Sequence, residues 1–171
     1  MENRWGDDTS KEMVAGFTYG IAKCCHTEYH SILGNDFGFA WPSGAKECLE
    51  LLGYHNVSLN WGYDGGLVRK SIDNGCPVFM SAIAEMWSGH AWVIDGYLDR
   101  EYVSNRGTVK HSQTLVHCNW GWYGRSNGYF ATGIFKTHNA EISDGFEESS
   151  IDDNYWIGFN TITYDKPETS L

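Results

Sequence analysis

Two short segments concentrate the side chains that could do chemistry. One is Ser88-Gly89-His90-Ala91-Trp92-Val93-Ile94-Asp95-Gly96-Tyr97; the other is Val116-His117-Cys118-Asn119-Trp120-Gly121-Trp122-Tyr123-Gly124. Each reads as a strand entering or leaving a glycine turn, with one polar residue at the strand end. A histidine that opens a strand just after Ser-Gly has room beside it for the backbone of a bound chain. An asparagine on a second strand can hydrogen-bond the imidazole and fix its tautomer. The tryptophan after it can cover that bond against water. His90, Asn119 and Trp120 thus read as the base-and-orienter half of a Cys-His-Asn site. Taken singly, a Gly-His pair is commonly structural, and Asn-Trp-Gly-Trp can be a tight turn with two core indoles. Their order, both on strands that follow a helical region, is what joins them.

The elements that must hold these residues follow from periodicity. Met13, Val14, Phe17 and Ile21 recur at helical spacing behind a cap at Asp8, Thr9 or Ser10, which predicts a helix over 10–23. Residues 31–42 read as a glycine-punctuated loop. Ser43 reads as the cap of a helix over 44–52 that ends at Gly53, and a third helix is predicted over 66–73 after Asp64-Gly65-Gly66. Strands are predicted at 77–83, 90–97, 101–104, 108–118, 128–135 and 155–164. Segments 101–104 and 108–118 pair around Asn105-Arg106-Gly107. Helices first and strands after is an α+β order, with a mostly antiparallel sheet or half-barrel. Residues 138–154 stand apart as an acidic loop of a length that is usually functional or mobile.

These segments resemble the streptopain-type cysteine peptidases. The likeness runs from about Thr9 to Tyr164. It rests on Gly89-His90-Ala91-Trp92-Val93-Ile94-Asp95-Gly96, Asn119-Trp120-Gly121-Trp122 and Asn127-Gly128-Tyr129-Phe130. Ser43-Gly44-Ala45, Leu52-Gly53-Tyr54 and Gly75-Cys76-Pro77-Val78 add support. The resemblance implies a papain-like fold and endopeptidase activity by a Cys-His pair with an orienting asparagine, without a cofactor. It implies that His90 is the catalytic histidine, that Asn119 orients it, that Trp120 shields the pair, and that Ser88 and Gly89 border bound substrate. In that family the nucleophilic cysteine lies upstream of the histidine, at the start of a long helix. The first helix of this chain matches the one that follows it. Residues 1–171 are therefore expected to be a single but incomplete catalytic domain, inactive alone, with its nucleophile on an N-terminal segment outside it. Two departures accompany the likeness: residues 100–113 are longer than the family's turn, and Tyr123 stands where glycine is usual.

None of the five cysteines suits the nucleophile's place. A thiolate is favoured at a helix N-terminus or beside an imidazolium. Cys24 and Cys25 fall at a predicted helix C-terminus, Cys48 lies inside a short helix, and Cys76 follows a turn glycine. Cys118 adjoins Asn119, so if Asn119 faces His90, strand alternation turns Cys118 away. Cys24, Cys25, His26 and His30 could supply four ligands, but their spacing is not that of structural zinc, and no metal is expected.

Composition narrows the partners. The formal net charge is −10, which disfavours nucleic acid and anionic membranes. Six acidic residues and no Lys or Arg lie within 138–154. No apolar stretch approaches a membrane span of about 20 residues, and residues 1–30 lack the pattern of a signal peptide. Secretion is implied by the resemblance alone. The expected partners are a peptide or protein substrate and an N-terminal segment or propeptide. Two other functions compete: a non-catalytic peptide-binding or regulatory module derived from such a peptidase, and a Trp-rich β-protein presenting aromatic faces to sugars or peptides. The helical first third counts against the latter.

Overall fold

A computed structural model describes residues 8–32, 35–85 and 88–167. The chain divides into two compact units, Met1–Tyr54 and His55–Leu171.

The first unit holds α1 (Asp8–Cys24), β1 (Glu28–Ile32), β2 (Asn35–Phe39) and α2 (Pro42–Leu51). Asp8 at the start of α1 and Lys23 in its last turn complement the helix dipole. Strands β1 and β2 pair as an antiparallel hairpin from Glu28↔Phe39 to Ile32↔Asn35, where a loop was predicted over 31–42. The hairpin side chains from Glu28 to Ser31 are exposed, so burial imposed no alternation for the sequence to display. The start of α2 also differs from expectation. Trp41 takes the N-cap position without a side-chain bond, and Pro42 occupies the first turn, where its missing N–H costs nothing. Ser43 is therefore inside the helix, not its cap.

The second unit holds β3 (His55–Trp61), α3 (Gly65–Asp73), β4 (Val78–Glu85), β5 (Ser88–Val103), β6 (Val109–Asn119), β7 (Gly128–Ala131), β8 (Phe135–Lys136), β9 (Ile142–Ser143), β10 (Asn154–Tyr155) and β11 (Ile157–Asp165). Seven strands form one sheet in the order β3-β11-β4-β5-β6-β7-β9, every pair antiparallel. Strands β8 and β10 pair separately. The predicted segments 90–97 and 101–104 are one 16-residue strand, and 128–135 is two strands. Strand β3 was not expected; its partner β11 lies about a hundred residues further along the chain.

Asp64 caps α3, its Oδ1 accepting from the N–H groups of Gly66 and Leu67 at 2.8 and 3.1 Å. Arg69 of α3 grips Asp99 of β5 through its two terminal guanidinium nitrogens, at 2.7 and 2.6 Å. The core gathers Val68, Met80, Ile94, Val116, Phe130 and Phe135 with Trp92, Trp120 and Tyr155. No described helix is long and apolar enough to cross a membrane.

Candidate active site

His90 lies on β5 opposite Ala82 of β4. The pleat puts His90, Trp92 and Ile94 on one face, where Trp92 and Ile94 are buried and His90 is partly buried. Ile94 stands opposite Cys118 of β6, and Cys118 and the following even residue, Trp120, are buried on that same inner face.

This parity reverses two expectations. Asn119 is turned outward and exposed. Its Oδ1 accepts from Gly121 N–H at 3.1 Å, closing its own turn instead of meeting His90. Cys118 shares the inner face with His90's side of the sheet rather than pointing away. It is fully buried, and that burial pushes its thiol well above the ordinary range, away from the thiolate form.

The group that meets the imidazole is main chain. His90 Nε2 lies 2.9 Å from the carbonyl oxygen of Trp120. A carbonyl carries no proton, so Nε2 donates and the neutral ring is the Nε2–H tautomer, with its lone pair on Nδ1. Asn127, itself buried, steadies this carbonyl from the other side of the residue. Its Oδ1 accepts the Trp120 N–H at 3.0 Å.

Aromatic rings surround the pair. The His90 ring lies 4.7 Å from Trp122, 5.9 Å from Tyr155 and 6.2 Å from Trp120, all within about 30° of parallel. Trp120 stacks on Trp122 at 5.6 Å and packs against Trp92 at 4.9 Å. Trp120 thus packs beside the imidazole, and Trp122 lies nearer still.

A carboxylate completes the surroundings. Asp153 Oδ2 accepts from the hydroxyls of Tyr155 at 3.0 Å and Ser88 at 3.2 Å, and its backbone N–H donates to Thr137 Oγ1. Burial holds the His90 pKa below its ordinary value; the Trp120 carbonyl and the Asp153 charge oppose this without overcoming it. Burial first, and the same carboxylate second, keep the Tyr155 phenol protonated as a donor. Ser88 therefore holds Asp153. Gly89 pairs with Ile83 and is open: an added Cβ would meet only the Ala82 carbonyl, at 3.5 Å.

Asp153 and Tyr155 lie outside the quoted motifs, and Trp122 and Asn127 lie within them without an assigned role. Asp153 was hidden in an acidic run, and only its placement two residues before a core tyrosine hinted at an inward carboxylate.

Two further expected groups are placed elsewhere. His26 faces Glu47 at 3.3 Å and His30 faces Glu28 at 3.3 Å. On the outer face of the sheet, His117 links Asp95 through Nδ1 and Asp144 through Nε2, the latter at 3.0 Å. Two flanking carboxylates require both ring nitrogens to carry protons. Burial lowers the His117 pKa, but the two acids together outweigh it and raise it above the ordinary value. With the Arg100–Glu141 pair at 2.9 Å, this contact ties part of the acidic segment 138–154 to the sheet.

Comparison with known proteins adds the following. The sequence profile of the peptidase C10 family matches residues 7–130, a stretch that includes His90, Asn119 and Trp120 and stops short of Asp153. The fold is similar to that of the active wild-type interpain A cysteine protease of Prevotella intermedia, with a TM-score of 0.64 and 16% sequence identity. The similarity covers 94% of this chain and 58% of that one, so this chain spans little more than half its neighbour's length. No curated protein matches the chain.

Proposed function

Because the chain belongs to the peptidase C10 family of cysteine peptidases, we propose that it is the histidine-bearing part of a papain-like endopeptidase domain. The observation that carries this reading is the His90 imidazole fixed through Nε2 by the Trp120 carbonyl. That bond leaves the Nδ1 lone pair to act as base.

In the complete site, Nδ1 takes the proton of a cysteine thiol, and the thiolate attacks the substrate's peptide carbonyl. His90 then protonates the leaving amine and activates water to release the acyl group. The indoles of Trp120 and Trp122 keep water from the Nε2 bond. Ser88 and Gly89 border the substrate, Ser88 through its grip on Asp153. The orienting role assigned to Asn119 passes to the Trp120 carbonyl, with Asn119 shaping the turn that presents it. The acidic segment borders the cleft and disfavours acidic substrates. The nucleophile comes from an N-terminal segment outside these 171 residues. Cys48, Cys76 and Cys118 are buried, and Cys24 and Cys25 lie at the C-terminal end of α1, where the helix dipole disfavours a thiolate. Secretion belongs to the same proposal and rests on the family likeness.

Peptide hydrolysis tests this. The chain alone is expected to cleave no fluorogenic peptide and to show no selective labelling by a substrate-like, thiol-directed inhibitor. The protein translated with the coding sequence upstream of Met1 is expected to do both, and to lose both on His90→Ala. Selective labelling of one of the chain's own five cysteines, abolished by His90→Ala, would overturn the split and return the nucleophile to this chain. Peptide binding without hydrolysis by the extended protein would favour a non-catalytic module.

A further inference from the structure

Three of the five free cysteines lie in the first unit. Cys24 and Cys25 end α1 and follow it, and both are partly exposed; Cys48 is on α2 and is 3% exposed. The backbone explains why they meet. Gly44 is the place where α2 comes against the other segment: a Cβ there would lie 2.2 Å from the Cys25 carbonyl oxygen. Cys48 is one helical turn beyond Gly44 on the same face, and these two are the buried residues of α2. Its thiol is thereby turned towards the Cys24–Cys25 end of α1, and burial first, then those neighbouring thiols, push it up. The His26–Glu47 contact at 3.3 Å fastens the same junction, one residue after Cys25 and one before Cys48.

We propose that this junction is a redox site, in which Cys48 forms a disulfide with Cys24 or Cys25 that small thiols of the glutathione class reopen, two of them being oxidised to the small disulfide as the two protein thiols are restored. The oxidant is a low-molecular-weight disulfide of the glutathione class. A thiolate of the partly exposed pair attacks it, forming a mixed disulfide and releasing one small thiol. The Cys48 thiol, after losing its proton, attacks the protein sulfur from inside. It forms the intrachain bond and expels the second small thiol. Two protein thiols are oxidised and one small disulfide is reduced to two thiols, so atoms and electrons balance. The order of events follows from exposure, because Cys48 is buried and can act only second. Burial keeps the Cys48 thiol protonated, with a pKa pushed up to about 12, which makes closure slow and strongly accelerated by alkali. An adjacent Cys24–Cys25 bond would close a ring too small for ordinary disulfide geometry, whereas Cys48 approaches from a separate helix.

The test equilibrates the full chain with oxidised and reduced glutathione at graded ratios, traps the thiols by alkylation, and maps peptides by mass spectrometry. The expected result is loss of two of the five thiols, with the Cys48 peptide cross-linked to the peptide holding Cys24 and Cys25. Cys48→Ser should instead leave a stable glutathione adduct on the adjacent pair. Mapping of the unaltered chain stands by itself if that variant fails to fold. Glutathione adducts without a cross-link, a Cys24–Cys25 bond, or full retention of all five thiols would each overturn the proposal.

Discussion

His90 and His117 sit on opposite faces of the same pair of strands and are perturbed in opposite senses. Burial holds His90 below the ordinary value of about 6.5, while Asp95 and Asp144 carry His117 above it. Proton NMR titration of the two rings should show this order. Asp153→Asn should lower the His90 value further, because the carboxylate is one of the two groups that favour its charged form. An unchanged titration would remove Asp153 from the site. The stability consequences also have opposite signs. The contribution of His117 is complete below about 6.5 and is lost as pH rises through its folded value; that of His90 is lost as pH falls from about 6.5 through its folded value. The gap in urea midpoint between the chain and His117→Gln should therefore be largest at mildly acidic pH and narrow on the alkaline side. A gap that widens there would contradict the two-carboxylate clamp. The same residues show what a sequence can reveal about a site. That His90 and Trp120 lie close together was legible in their residue types and motifs, and the structure stacks the two rings. The orienting group was not, because a main-chain carbonyl has no letter of its own. Asn119, the visible candidate, lies one position away, and one position on a strand is the opposite face.

At the level of elements, the turn between β6 and β7 positions the Trp120 carbonyl, and its backbone is unusual. Gly121, Tyr123, Gly124 and Ser126 all have positive φ, at 78°, 57°, 87° and 57°. Tyr123, which departs from the glycine expected there, adopts the left-handed conformation that glycine would take at less cost. At Gly128 the constraint is space: a Cβ would lie 2.3 Å from the Ile142 carbonyl, across the pairing of β7 with β9. Gly128→Ala should destabilise the protein by roughly 1–3 kcal/mol in chemical denaturation. The same change at Gly89, whose nearest neighbour would be 3.5 Å away, should be tolerated by the fold. Legibility at this scale followed burial and sequence distance. The helix carrying Met13, Val14, Phe17 and Ile21 announced itself by spacing, and the β5–β6 hairpin by Asn105-Arg106-Gly107. Strand β3 did not, although Val57, Leu59 and Trp61 alternate, because nothing local marks β11 as its partner. The β1–β2 hairpin, exposed from Glu28 to Ser31, offered no pattern to read there.

For the whole molecule, the two units carry very different shares of the buried apolar surface. All of α1 lacks a buried residue, and Met13, Phe17 and Tyr19 are 70%, 68% and 62% exposed. Strands β4, β5 and β6 supply much of the core of the second unit. Amide hydrogen exchange should accordingly be slowest in the centres of β4, β5 and β6 and fastest in α1 and the β1–β2 hairpin. Uniform protection along the chain would show that α1 is covered in solution. The acidic segment 138–154 should fall between these limits, since Arg100, His117 and the Thr137–Asp153 bonds hold it at separate points.

The ring cluster at His90 also makes the site luminous. Trp92, Trp120 and Trp122 are near enough to one another to share excitation, and the imidazole stacks against two of them. An imidazolium quenches indole emission more strongly than the neutral ring does. The protein's intrinsic fluorescence should thus dim as His90 takes up its proton, giving an optical record of the charge state of the proposed base without any label or substrate.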